Sequence, residues 1–263
     1  MQEDHVRIRN DHHEFDRLLL IGHAECMKPT ILMTGHTMPA LLAEKGDFDR
    51  WFARRFGWPV ERFRVIDAIG GEALPLAGSV EGLIISGSAH CVHDYADWSV
   101  QSGEWIAEVM ARGTPILGVC YGHQLIGDIL GGDVGINPKG REMGVCPIEH
   151  MGDDPLFEGL PKNFSVIQTH VDAVNTLPET AQRIARSDLT EIQAMAIGEN
   201  VRTIQWHPEF DADVIRHYIT VRANLVDAEF GPGAATRMLN EVVDVHSGAQ
   251  IIHNFMRHFL HIR

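Results

Sequence analysis

A cysteine held between two glycines, where an apolar strand pattern gives way to a helical one, carries most of the chemistry in this sequence. In Pro115-Ile-Leu-Gly-Val-Cys-Tyr-Gly-His-Gln-Leu-Ile-Gly-Asp-Ile-Leu130, Cys120 sits at the join and Gly118 and Gly122 flank it as G-x-C-x-G. Small neighbours let a chain turn sharply from strand to helix, which aims the side chain at the corner outward. The free amides and positive end of the following helix then surround the sulfur and favour the thiolate. The plain alternative, a buried cysteine in a parallel strand, accounts for the apolar run but not for the glycines. A second segment, Thr203-Ile-Gln-Trp-His-Pro-Glu-Phe210, ends a β-rich run with His207 and Glu209 two positions apart. In extended chain both side chains point the same way. That pairing suits a base that takes a thiol proton and a carboxylate that orients the base.

Together, G-V-C-Y-G-H-Q and Q-W-H-P-E-F resemble the signature of the class I glutamine amidotransferases, a family built on a cysteine, histidine and glutamate triad. The resemblance runs from roughly Met27 to the C-terminus and looks most like stand-alone members similar to the glutaminase domain of GMP synthase. It implies that Cys120 attacks the side-chain amide of glutamine to form a γ-glutamyl thioester, that His207 protonates the departing ammonia, and that Glu209 holds His207. It places the oxyanion hole at the backbone N–H groups of Ser88 and Tyr121. Gly87, Gln124, His170 and Asp172 are then expected at the substrate. Ser86-Gly-Ser-Ala89 departs from the family's Gly-Gly-Pro loop, with Ser88 and Ala89 standing for the second glycine and the proline. A backbone donor survives such a side-chain change. Arg141-Glu-Met-Gly144 matches a K/R-E-x-G stretch of the family, and Cys91 and Cys146 read as a loop thiol and a buried strand residue.

The elements that must position these residues follow a β-α-β succession. Short apolar runs bounded by turn residues read as buried strands near Ile31, Val65, Ile84 and Leu117, and Trp98 to Ala111 reads as an amphipathic helix ended by Gly113. Phe48, Trp51, Phe52 and Phe56 recur at helical spacing behind a capping Asp47, a core stripe rather than a binding box. Phe164 to Asp172 reads as one strand, residues 183–206 as a β meander turning at Gly198-Glu-Asn200, and everything after Asp211 as helices packed on the sheet. The expected fold is α/β: a mostly parallel open sheet with helices on both faces, flavodoxin-like in the manner of the class I amidotransferases, plus a helical C-terminal tail. Ligands of such sheets sit at the carboxyl ends of the strands. Residues 1–26, polar and rich in His and Asp, read as an extension that need not be ordered, before a domain over residues 27–263.

Composition narrows the partners. A net charge of −14 without a basic run opposes nucleic acid, and no apolar run is long enough for a membrane span. Four cysteines without C-x-x-C or finger spacing fit a reduced, cytoplasmic protein. The sixteen histidines are scattered, so no metal is expected, and no cofactor either. The chain shows no G-x-x-x-x-G-K-[ST] or S-G-G-x-D-S loop. Ammonia released here would therefore pass to a separate synthetase subunit or be lost, as in a glutaminase. A γ-glutamyl peptidase or hydrolase using the same triad is the second reading. A silent, redox-sensing relative is the third, against which the intact His207 and Glu209 stand.

Overall fold

The computed structural model describes residues 27–262; the expected N-terminal extension over residues 1–26 lies outside the described residues. A nine-stranded sheet runs in the order β2-β1-β3-β4-β11-β10-β9-β6-β7. Its parallel part is β2 (Arg64–Asp67), β1 (Thr30–Met33), β3 (Leu83–Ile85), β4 (Ile116–Val119) and β11 (Val201–Ile204). An antiparallel extension continues it through β10 (Ala194–Ile197), β9 (Ala181–Arg186), β6 (Glu142–His150) and β7 (Asn163–His170). The expected meander is β9, β10 and β11, and its last strand docks parallel on β4.

Strand residues alternate between the two faces because successive side chains point to opposite sides. Ile31, Met33, Ile84 and Leu117 face a core that includes α2 (Phe48–Phe56), α5 (Ala212–Val221) and α8 (Ser247–His258). Leu32, Leu83, Ile85 and Ile116 face a second core with α3 (Asp97–Ala111) and α4 (Tyr121–Ile129). Helices thus cover both faces, and the strands at the centre of the parallel part, β1, β3 and β4, are largely apolar and fully buried. The helical tail is completed by α6 (Ala223–Phe230) and α7 (Ala234–Glu241). Asp47 caps α2 as read, its carboxylate accepting from the Phe48 N–H, while the short helix α1 (Pro39–Lys45) carries no apolar period and was not expected.

One expected strand is two. The run from Phe164 to Asp172 breaks at Val171: β7 stays at the edge of the large sheet, whereas β8 (Asp172–Thr176) leaves to pair with β5 (Asp133–Ile136) in a separate two-stranded sheet. His170 and Asp172 therefore belong to different strands. Among the described residues no helix is long and apolar enough to cross a membrane.

Candidate active site

Three neighbouring parallel strands end at the same edge, and each delivers one part of the site. β4 delivers Cys120, β11 delivers His207 and Glu209, and β3 delivers the loop through Gly87 and Ser88. Cys120 has φ 51° and ψ −98°, a backbone region that L residues rarely occupy and that is held only when the surroundings over-determine it. The flanking glycines are what make the corner possible. A Cβ on Gly118 would lie 2.8 Å from the Gly122 carbonyl oxygen, and one on Gly122 would lie 2.7 Å from Ile85 Cβ. The Cys120 N–H continues the sheet by donating to the Ile204 carbonyl (2.9 Å), and the Cys120 carbonyl starts α4 by accepting from the Gln124 N–H (3.0 Å). Cys120 thus stands at the amino end of a nine-residue helix.

His207 and Glu209 face it as their spacing suggested. His207 Nδ1 lies 2.7 Å from Glu209 Oε1, and both side chains are buried. Burial pushes the imidazole pKa down, but the charges of the Glu209 carboxylate and then of the Cys120 sulfur pull it up further, to about 10. The ring is clamped by Phe210, stacked at 4.1 Å, with Phe48 of the α2 stripe beyond it at 6.3 Å. Gly87 lets the third part close in: a Cβ there would sit 2.7 Å from His207 Cε1 and 3.5 Å from Cys120 Cβ. Among the described residues neither the Ser88 nor the Tyr121 N–H has a hydrogen-bond acceptor. The Tyr121 phenol turns the other way, into a buried bond of 2.5 Å with Ser99 Oγ.

Sequence reasoning missed two supports of this arrangement. Thr34, just past β1, ties down the loop after β3: its N–H donates to Ser86 Oγ (3.0 Å) and its hydroxyl to the Ser86 carbonyl (2.8 Å). Arg222, between α5 and α6, is close enough to interact electrostatically with Cys120. It lies over the Tyr218 ring at 4.9 Å and donates to Thr169 Oγ1 (3.1 Å). Neither carries a local sequence signal, because each meets the site only through the fold.

The remaining expected substrate residues are turned inward. Gln124 Nε2 donates to the Asp172 carbonyl (2.8 Å) and to Gln205 Oε1 (3.1 Å). His170 Nδ1 meets the Asp172 carbonyl (2.9 Å), and its Nε2 meets Gln168 Oε1 (2.9 Å) and Glu142 Oε2 (3.2 Å). Glu142, from the K/R-E-x-G stretch, is the hub of this interior network and also accepts from Thr190 Oγ1 (2.5 Å) and Gln193 Nε2 (2.7 Å). Burial raises its pKa, but the donors of His170 and Thr190 outweigh that and hold the carboxyl below its ordinary range. Asp172 presents its carboxylate elsewhere, to Cys91, whose thiol is pushed up to about 11 by that carboxylate and by burial. A cavity of about 1100 Å³ beside α1 and α2, lined by His36, Asp47, Arg50, Trp58 and Asp67, touches none of Cys120, His207 and Glu209. Its volume alone points away from the chemistry.

A thiol at a helix amino end, an imidazole oriented by a carboxylate and backbone donors nearby are groups that cysteine acyl transfer can use. The Glutamine amidotransferase class-I profile matches residues 56–222, and the chain belongs to that family. Among its relatives, Gamma-glutamyl peptidase 3 of Arabidopsis thaliana is 29% identical over 223 residues, covering 81% of this chain and 89% of that protein. A glutamine-hydrolyzing GMP synthase of Aeropyrum pernix is 40% identical over 144 residues, 55% of this chain, but the match spans only 26% of that longer protein. The crystal structure of a glutamine amidotransferase from Thermotoga maritima superposes with a TM-score of 0.70 at 20% identity, over 89% of this chain and 99% of that one, and shows the same fold.

Proposed function

We propose that this protein hydrolyses a γ-glutamyl amide bond through a thioester on Cys120. The observation that carries the reading is the corner itself. A cysteine at positive φ lies at the mouth of α4, beside a histidine whose proton is held by Glu209 and close to a loop admitted by Gly87. Cys120 Sγ attacks the side-chain carbonyl carbon, and the resulting oxyanion takes hydrogen bonds from the Ser88 and Tyr121 N–H groups. His207 gives its proton to the nitrogen as the C–N bond breaks, releasing ammonia or an amine. Water then loses a proton to His207 and attacks the thioester; the C–S bond breaks and glutamate leaves. Arg222 supplies a positive charge for the carboxylate of the glutamyl group. Gln124 and His170 act as positioning residues by fixing the carbonyl of Asp172.

The leaving group separates two readings. Glutamine as substrate, with ammonia passed to a separate synthetase, has support in the 38% identity, over 115 residues, to a glutamine-hydrolyzing GMP synthase subunit of Archaeoglobus fulgidus. A γ-glutamyl peptide has support in the near-full-length match to the plant peptidase. Glutamate release by the isolated chain, from glutamine and from γ-glutamyl dipeptides at matched concentrations, decides between them. Rapid turnover of dipeptides with little glutamine hydrolysis selects the peptidase; the reverse selects the amidase. Glutamate from neither would reject γ-glutamyl hydrolysis by this chain alone.

A further inference from the structure

Cys91 and His93 lie on the segment that follows the Gly87–Ser88 loop, and Asp172 opens β8. The fold brings one donor atom of each, a sulfur, a ring nitrogen and a carboxylate oxygen, within 4.8 Å of one another, with His93 Nδ1 3.9 Å from Asp172 Oδ2. A tetrahedral zinc site, with Zn–S of about 2.3 Å and Zn–N of about 2.0 Å, spaces its donors about 3.3 to 3.6 Å apart. A contraction of about 1 Å closes that gap, and the exposed His93 side chain is free to make it.

We propose that Cys91, His93 and Asp172 bind one divalent cation of the zinc class, leaving a fourth coordination position open to solvent. The chemistry of the donor set selects the ion: a thiolate and an imidazole suit zinc or cobalt and disfavour magnesium and calcium, which take oxygen ligands. The charges balance. Cys91 loses its thiol proton to solvent as sulfur binds, and the thiolate with the Asp172 carboxylate neutralises the dication. Asp94, next to His93 in the chain, and Asp128 place two more carboxylates near the cluster, and carboxylates favour a cation. Asp172 is already held without the ion, through the bonds that Gln124 and His170 make to its carbonyl. Those bonds fix the backbone from which the carboxylate projects. A bound ion would tie the segment that follows Ser88 to β8. The proposal does not depend on the hydrolase reading, since it is read by binding.

The test is anaerobic titration of the reduced full-length chain with cobalt(II), following the thiolate-to-cobalt charge-transfer absorption. Wild type and Cys120→Ala should each develop the band with one equivalent of metal, and Cys91→Ser should not. His93→Ala should bind at least about tenfold more weakly. A band that persists in Cys91→Ser and vanishes in Cys120→Ala would move the ion to the triad and overturn the assignment. So would the absence of any thiolate band in the wild type. If Cys91→Ser fails to fold, His93→Ala, altered at an exposed side chain, carries the test: undiminished affinity there rejects the site.

Discussion

His123 and His207 are both buried, one on α4 just after Cys120 and the other just past the end of β11, and they are driven to opposite charge states. His123 meets only neutral partners, Thr203 Oγ1 at 2.7 Å from Nδ1 and the Ile192 carbonyl at 3.2 Å from Nε2. Burial therefore governs it. Its pKa falls to about 3, with the Ile192 carbonyl opposing weakly and His170 adding to the fall. His207 pays a similar desolvation cost, but a carboxylate 2.7 Å away and the Cys120 sulfur reverse the sign. The difference teaches that depth in the core does not decide whether a histidine can serve as an acid and base here. A charged neighbour does.

If the reacting charge belongs to the Cys120 corner alone, Cys120→Ala should reduce glutamate release to background while leaving the melting temperature nearly unchanged, and Cys146→Ala should keep wild-type turnover. Wild-type rates in Cys120→Ala would dissolve the comparison. His207→Gln should lose a factor of at least ~10² in rate, and Glu209→Gln a smaller factor, because it orients rather than transfers protons. The charge itself is visible in stability. Between its ordinary 6.5 and about 10 the folded His207 holds a proton that the unfolded chain has lost, so its contribution is complete below pH 6.5 and fades as pH rises towards 10. Urea unfolding at several pH values should show that fade in wild type and not in His207→Gln.

The backbone half of the comparison is tested by Gly122→Ala. Its new methyl would meet Ile85, and overpacking of this kind costs about 1–3 kcal/mol, with turnover falling alongside because the corner must shift. Unchanged stability and rate would show that the elbow has slack. The smallest effect belongs to His123. Its folded pKa lies below 6.5, so below that pH the unfolded chain binds the extra proton and stability drops as pH falls. From pH 6.5 to 5.5 wild type should lose about 1 kcal/mol that His123→Gln retains; parallel curves for the two proteins would mean the buried ring is not neutral.

Much of this was legible in the chain itself. G-x-C-x-G announces a corner because its glycines remove atoms that would collide, and His207 and Glu209 announce a pair because extended chain repeats every two residues. The buried strands were read from continuous apolar runs. The break at Val171 was not, since the run from Phe164 to Asp172 has the same local character on both sides of it; what parts β7 from β8 is which partner strand each finds. Thr34 and Arg222 were invisible for a related reason, as their roles exist only against Ser86 and beside Cys120.

The sequence by itself determined the family, the sharp turn at Cys120, the pairing of His207 with Glu209 and the sheet that presents them, because each rests on residue type and short spacing along one strand or one turn. Tertiary structure decided the rest. It made His207 the charged histidine and His123 the neutral one, turned His170 and Gln124 inward to the carbonyl of Asp172, and gathered Cys91, His93 and Asp172 from distant segments. Charge states and side-chain clusters depend on distances of a few ångströms and on how much water is excluded between groups far apart in the chain, and only the folded packing supplies either.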